Sequence, residues 1–181
     1  LAELQQTGNV RKIAAAGIMA ALIFVFTWVV HIPVPVMNGG YIHIGDSMIY
    51  CASFLLGGFY GAAAAGIGSM FADLAAGYSS YMIATLIIKG LMGFVCAVLM
   101  RKPKFHRFLI ASIVGGAIMA AGYALYEYLF VGAGGIVTSI LFNLIQWAAG
   151  VLVALPLFKA VKSISDSSGL RRDFYGTDNH R

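Results

Sequence analysis

Charge is nearly absent from the middle of this chain, and where it occurs it is isolated. Between Ile13 and Phe158 the charged residues are Asp46, Asp73, Lys89, Glu127 and one basic cluster, Arg101 to Arg107. A charge at a bilayer centre costs roughly 2.5–3.5 kcal/mol on insertion scales, so four left facing lipid would cost on the order of 10 kcal/mol. Side chains that expensive face a bundle interior or a wet cavity and mark a functional site. The sequence is 60% hydrophobic and 10% charged, against about 25% charged in a soluble domain. These values define an integral membrane protein, all-α, with the 181 residues forming a single membrane domain.

Hydropathy and turn residues predict six transmembrane helices, at about residues 10–30, 47–56, 60–75, 81–100, 108–131 and 136–161. The first apolar stretch is too long for the core of a signal peptide and reads as a true span. His31 to Asp46 carries two prolines and three glycines and is expected to be a structured loop. Gly57-Gly58 ends the short second span, and residues 163–181 form a polar cytoplasmic tail. Arg11 and Lys12, the Arg101–Arg107 loop, and Lys159 and Lys162 all fall at one set of helix ends. That asymmetry places both termini in the cytoplasm. It also accounts for the net charge of +5 without a nucleic acid, since aromatic and basic residues do not alternate.

Helical spacing puts the polar groups on common faces. Tyr123, Tyr126, Glu127 and Phe130 form one stripe, Ser139, Asn143, Gln146, Trp147 and Gly150 a second, and Tyr81, Thr85 and Lys89 a third. The loops on the outer side add Asn38, Tyr41, His43, Asp46 and Tyr78. Together with Asp73 they outline an outward-facing pocket of stacking rings and hydrogen-bonding groups, suited to a small flat polar molecule. Structural readings stand beside this one. Asp46 directly precedes a span and would serve as a helix cap. Lys89 would pair with Glu127 or Asp73. Asn143 and Gln146 would join helices. On the first span, Ala16, Gly17, Ala20 and Ala21 are small residues four apart, which suits close packing by another helix, within the chain or from a partner.

No phosphate-binding Gly-x-x-x-x-Gly-Lys-Ser/Thr loop occurs, so the chain is not expected to hydrolyse ATP. No metal-ligand spacing appears, and no cofactor is expected. A membrane enzyme using Asp73 and Glu127 in acid–base chemistry, and a carrier driven by an ion gradient, are the competing readings.

The segments Gly40-Tyr-Ile-His-Ile-Gly-Asp46, Ala72-Asp-Leu-Ala-Ala-Gly-Tyr78 and Ile88-Lys-Gly90 resemble the substrate-binding S components of energy-coupling factor (ECF) vitamin transporters. The resemblance covers about residues 10–162, and departs from the usual pattern where Ser79-Ser80-Tyr81 replaces a proline. It implies a vitamin-binding subunit in the plasma membrane of a prokaryote. Such a subunit docks through small residues on span 1 onto a transmembrane T component energised by two cytoplasmic ATPases, and topples to deliver its cargo. Hydroxymethylpyrimidine or pyridoxine is the expected ligand, with riboflavin next. Asp46, Asp73, Lys89, Glu127 and Asn143 would meet ring hydroxyls, and Tyr78, Tyr81, Tyr123 or Trp147 would stack on the ring.

Overall fold

The computed structural model describes residues 2–34, 41–130 and 132–175. Helix α1 (Ala2–Val29) leads into a two-stranded antiparallel hairpin, β1 (His31–Pro33) and β2 (Tyr41–His43), in which Ile32 faces Ile42. Then follow α2 (Asp46–Ala75), α3 (Met82–Leu99), α4 (Phe105–Phe130), α5 (Ile136–Ser168) and the short α6 (Leu170–Tyr175). Single 3-10 turns at Ser79–Tyr81 and Ala133–Gly135 precede α3 and α5.

Among the described residues, five helices are long and apolar enough to cross a membrane, where six spans were expected. The difference lies in α2, which holds both expected spans 47–56 and 60–75. Its helix breaks at Gly57, where φ is 76°, a left-handed conformation that glycine adopts without a Cβ penalty. In a straight helix, residues 53 and 61 would stand about 12 Å apart. Here a Cβ on Gly61 would lie 3.1 Å from Ser53 Cα, so the chain folds back on itself. The arm before Gly57 is about 16 Å long at 1.5 Å per residue, half of a hydrocarbon core of roughly 30 Å. The hairpin and residues 43–45 therefore dip into the bundle to meet it. Irregular backbone at such depth is tolerated where protein encloses it, and His43, Gly45 and Asp46 are all buried.

The folded-back α2 is the centre of the molecule and packs against α1, α3, α5 and α6. Close approach of α3 depends on missing side chains. A Cβ on Gly66 would stand 2.7 Å from the Leu86 carbonyl, and one on Gly93 would stand 2.8 Å from the Ala65 Cβ, the small-residue contact that substitutes for hydrophobic driving force in lipid.

The two ends of the bundle differ. At the Gly57 end, the fully buried rings of Tyr50, Phe54, Phe108 and Phe158 interlock, with Phe108 stacked on Phe158 at 4.5 Å and Phe54 edge-on to Phe158 at 4.9 Å. Beneath them lies α6. The polar tail expected after Lys162 is helical through Tyr175 and packs on the bundle, because it satisfies carbonyls at helix ends that have no partner in their own helix. Arg171 donates to Phe54 O at 3.0 Å, Met100 O at 2.7 Å and Arg101 O at 2.5 Å. Its guanidinium is sandwiched between the Phe54 and Tyr175 rings at 4.8 and 4.0 Å, a cation–π arrangement. Tyr175 donates to Ser53 O at 3.0 Å.

Candidate functional site

The isolated charges meet at the hairpin end. Asp46 does not cap α2: Gly45 holds that position with no side-chain bond. Its carboxylate turns inward to Lys89 Nζ at 2.5 Å, with both side chains fully buried. Lys89 is thus paired with Asp46, and with neither Asp73 nor Glu127 as the sequence suggested. Its ammonium also donates to Met119 Sδ at 2.9 Å and lies 5.6 Å from the Tyr123 ring centroid. The second Asp46 oxygen accepts Gln146 Nε2 at 3.1 Å, while Gln146 Oε1 accepts the His43 backbone N–H at 3.3 Å. Gly150, one turn beyond Gln146, lets α5 come close: a Cβ there would sit 3.1 Å from Asp46 Cβ. An ion pair removed from water stands only when its remaining lone pairs and protons are bonded. Here residues from the hairpin, α2, α3, α4 and α5 supply those bonds.

His43 lies beside this floor. Its Nδ1 accepts the Gly45 N–H at 3.1 Å, which leaves the proton on Nε2 of a neutral ring. Burial pulls its pKa down to about 3, with the Asp46 carboxylate opposing and the Lys89 ammonium assisting.

Above the floor are two tyrosine–carboxylate couples. Tyr41 donates to Asp73 Oδ1 at 2.6 Å, and Tyr81 donates to Glu127 Oε1. Burial, then the Asp73 charge, raises the Tyr41 pKa, so its phenol stays a donor. The Tyr41 ring stacks on Tyr78 at 4.8 Å with 17° between planes and tilts against His43 at 5.3 Å. Thr85 and Tyr123 share a hydroxyl–hydroxyl bond of 2.9 Å. Thr85 stands beside Asp73, whose Oδ2 is buried without a hydrogen-bond partner of good geometry among the described residues. Tyr81 packs on Tyr126 at 4.8 Å, and Tyr126 donates to Ser80 O at 2.7 Å. Asn143 is buried on α5 and bonds back to Ser139 O at 2.8 Å.

The structure therefore gathers Tyr41, His43, Asp46, Asp73, Tyr78, Tyr81, Lys89, Tyr123 and Glu127 around one end of the bundle, with Asn143 on the facing helix. Asn38 lies outside the described residues. Trp147 is placed elsewhere: its indole N–H donates to Ser112 O at 2.7 Å, and its ring fills the space above Gly116, where a Cβ would come within 2.2 Å. It joins α5 to α4. Met119 and Gln146 also belong to the floor; the sequence placed Gln146 on a polar stripe and gave it a helix-joining role, not a place in the site. Gln146 had a signal, lying between Asn143 and Gly150 on one face; Met119 had none.

A second surface lies outside the bundle. A groove of about 660 Å³ runs between α1 and the second arm of α2, lined by apolar atoms of Gly17, Ala20, Ala21, Phe24, Gly68 and Phe71 among others. The small-residue stripe divides there. Ala16 and Ala20 pack inward, with a Cβ on Gly68 falling 2.5 Å from the Ala20 carbonyl. Gly17 and Ala21 are exposed, and a Cβ on Gly17 would meet nothing within 4 Å.

The chain is 29% identical over 170 residues to the thiamine precursor transporter HmpT of Lactococcus lactis subsp. cremoris, covering 94% of this chain and 99% of that protein. It is 34% identical over 130 residues to an uncharacterized protein in the gap 3′ region of Pyrococcus woesei, covering 71% of this chain and 86% of the relative. Its fold matches the crystal structure of the S component for biotin from an ECF-type ABC transporter, with a TM-score of 0.71 at 19% identity over 92% of this chain and 96% of that one. Residues 7–163 match the family described as ECF-type riboflavin transporter, S component. Because that match runs through every helix contributing to the site, the chain belongs to this family: it is a membrane-embedded substrate-binding component for vitamin or precursor uptake.

Proposed function

We propose that this protein captures a single-ring vitamin precursor, hydroxymethylpyrimidine or pyridoxine, from outside a prokaryotic cell and presents it to an ECF transport complex. The observation that carries this reading is the cluster Tyr41–Asp73, Tyr81–Glu127 and Thr85–Tyr123 above the Asp46–Lys89 floor. Its rings stack and its hydroxyls and carboxylates meet ring substituents. Similarity to HmpT along almost the whole chain supports a thiamine precursor. The basic helix ends face the cytoplasm, so the hairpin end opens outward.

The exposed Gly17–Ala21 row and the groove beside it are the docking face for a T component, and two cytoplasmic ATPases supply the energy. Substitution should separate the two rows of α1. Gly17→Trp should abolish co-purification with the T component while leaving ligand affinity intact; assembly that survives it would remove α1 from the interface.

Native mass spectrometry of the purified protein, followed by calorimetric titration, tests the ligand. A bound mass or a saturable isotherm with hydroxymethylpyrimidine or pyridoxine supports the reading. Binding of riboflavin alone would move the substrate to the larger ring system, and uptake that follows a proton gradient without partner subunits would replace the reading with an autonomous carrier.

A further inference from the structure

Positive charge is scarce at the site. Between Ile13 and Met100, Lys89 is the single Lys or Arg of the sequence, and between Phe108 and Phe158 there is none. That one cation is already engaged: its ammonium lies 2.5 Å from Asp46 Oδ1 and 2.9 Å from Met119 Sδ, fully buried. The histidines add little. His43 directs Nδ1 as an acceptor to the Gly45 N–H, and His31 donates Nδ1–H to the Trp28 carbonyl at 2.6 Å.

The acids are in the opposite position. Asp73 and Glu127 are buried and form no ion pair among the described residues. Each is bonded by a tyrosine hydroxyl, Thr85 stands beside Asp73, and among the described residues Asp73 Oδ2 has no hydrogen-bond partner of good geometry. A carboxylate offers about four lone-pair sites, so both can still accept N–H or O–H donors from a ligand.

We propose that Asp73 and Glu127 are charge-selecting residues that admit a neutral or cationic ring carrying N–H and O–H donors and reject the phosphate ester of the same ring, and that Lys89 is a positioning residue that holds Asp46 and does not bind anions. This rests on the function proposed above and narrows its substrate class. A phosphate monoester carries a charge of about −1.5 to −2 near neutral pH. Beside two enclosed carboxylates, with the local ammonium neutralised by Asp46, it meets repulsion and no counter-charge.

The test is a paired titration of the purified full-length protein in detergent. Hydroxymethylpyrimidine is compared with its monophosphate, and pyridoxine with its monophosphate. At least 100-fold weaker binding of the esters is expected. Glu127→Gln and Asp73→Asn should each narrow that ratio by about tenfold. The double variant Asp46→Asn/Lys89→Gln, which leaves no unpaired buried charge, should weaken alcohol and ester alike and keep the ratio. Alcohol and ester binding within threefold of each other would overturn this proposal while leaving the transport function standing. A loss confined to the ester in the double variant would also overturn it, by making Lys89 an anion ligand. If neither free alcohol binds, the function proposed above fails, and this inference fails with it.

Discussion

The two ends of the bundle use aromatic side chains in opposite ways. At the hairpin end, Tyr41 and Tyr81 aim hydroxyls at carboxylates. At the Gly57 end, Phe54, Phe108 and Phe158 pack ring on ring, and α6 closes the helix ends below them. One end keeps carboxylate lone pairs available; the other buries ring against ring. The contrast teaches that the proposed recognition and the cohesion of the bundle are divided along its axis, with the Asp46–Lys89 pair at the boundary.

Substitution can break that division or sharpen it. The largest effect is expected at the boundary. Lys89→Met strands a buried carboxylate and should cost about 3–5 kcal/mol of stability, most of it recovered when Asp46→Leu is added. Denaturant unfolding of the single and double variants checks this, and no recovery would mean that the floor owes its stability to packing instead. Next, Phe108→Ala should cost about 3–5 kcal/mol through the cavity it leaves and leave ligand affinity unchanged in the protein that remains folded. Glu127→Gln should do the reverse, losing affinity with less than about 1 kcal/mol of stability. If both variants changed both properties, the two ends would not be independent.

Arg171→Ala removes three charge-assisted bonds to carbonyls and should cost about 1.5–3 kcal/mol, again without an effect on binding by calorimetry. The smallest effect concerns pH. His43 is protonated near pH 6.5 when unfolded and only near pH 3 when folded. Below pH 6.5 the unfolded state binds the extra proton, so stability falls as pH falls, by up to about 1.4 kcal/mol per unit. Above pH 7 the term is constant. Melting curves from pH 7 to 5 should show the slope, and His43→Gln should flatten it.

Much of this was legible in the sequence, because membrane insertion makes charge expensive. Asp46, Asp73, Lys89 and Glu127 stood out against an uncharged background, and periodicity put Tyr81, Thr85 and Lys89 on one face. The break at Gly57-Gly58 was also visible as a span ending there. What could not be read was pairing. Lys89 has three acids within reach in any plausible bundle. Its choice of Asp46 follows from the half-length arm of α2, which sets Asp46 at the depth of Lys89, and that depth depends on a tertiary fold-back. Trp147 shows the same limit: its spacing matches Asn143 and Gln146, but the gap over Gly116 and the Ser112 carbonyl claim its ring. The helical tail was missed because its partners, Phe54 O and Met100 O, are backbone atoms far away in sequence.

The aromatic layer beneath the site has a consequence for traffic. A molecule seated among the tyrosines faces, along the axis, a floor closed by an ion pair, then interlocked rings, then a guanidinium fastened to helix ends. With the ligand bound there as proposed, this stack separates it from the Gly57 end, and delivery to that end would need the subunit as a whole to move.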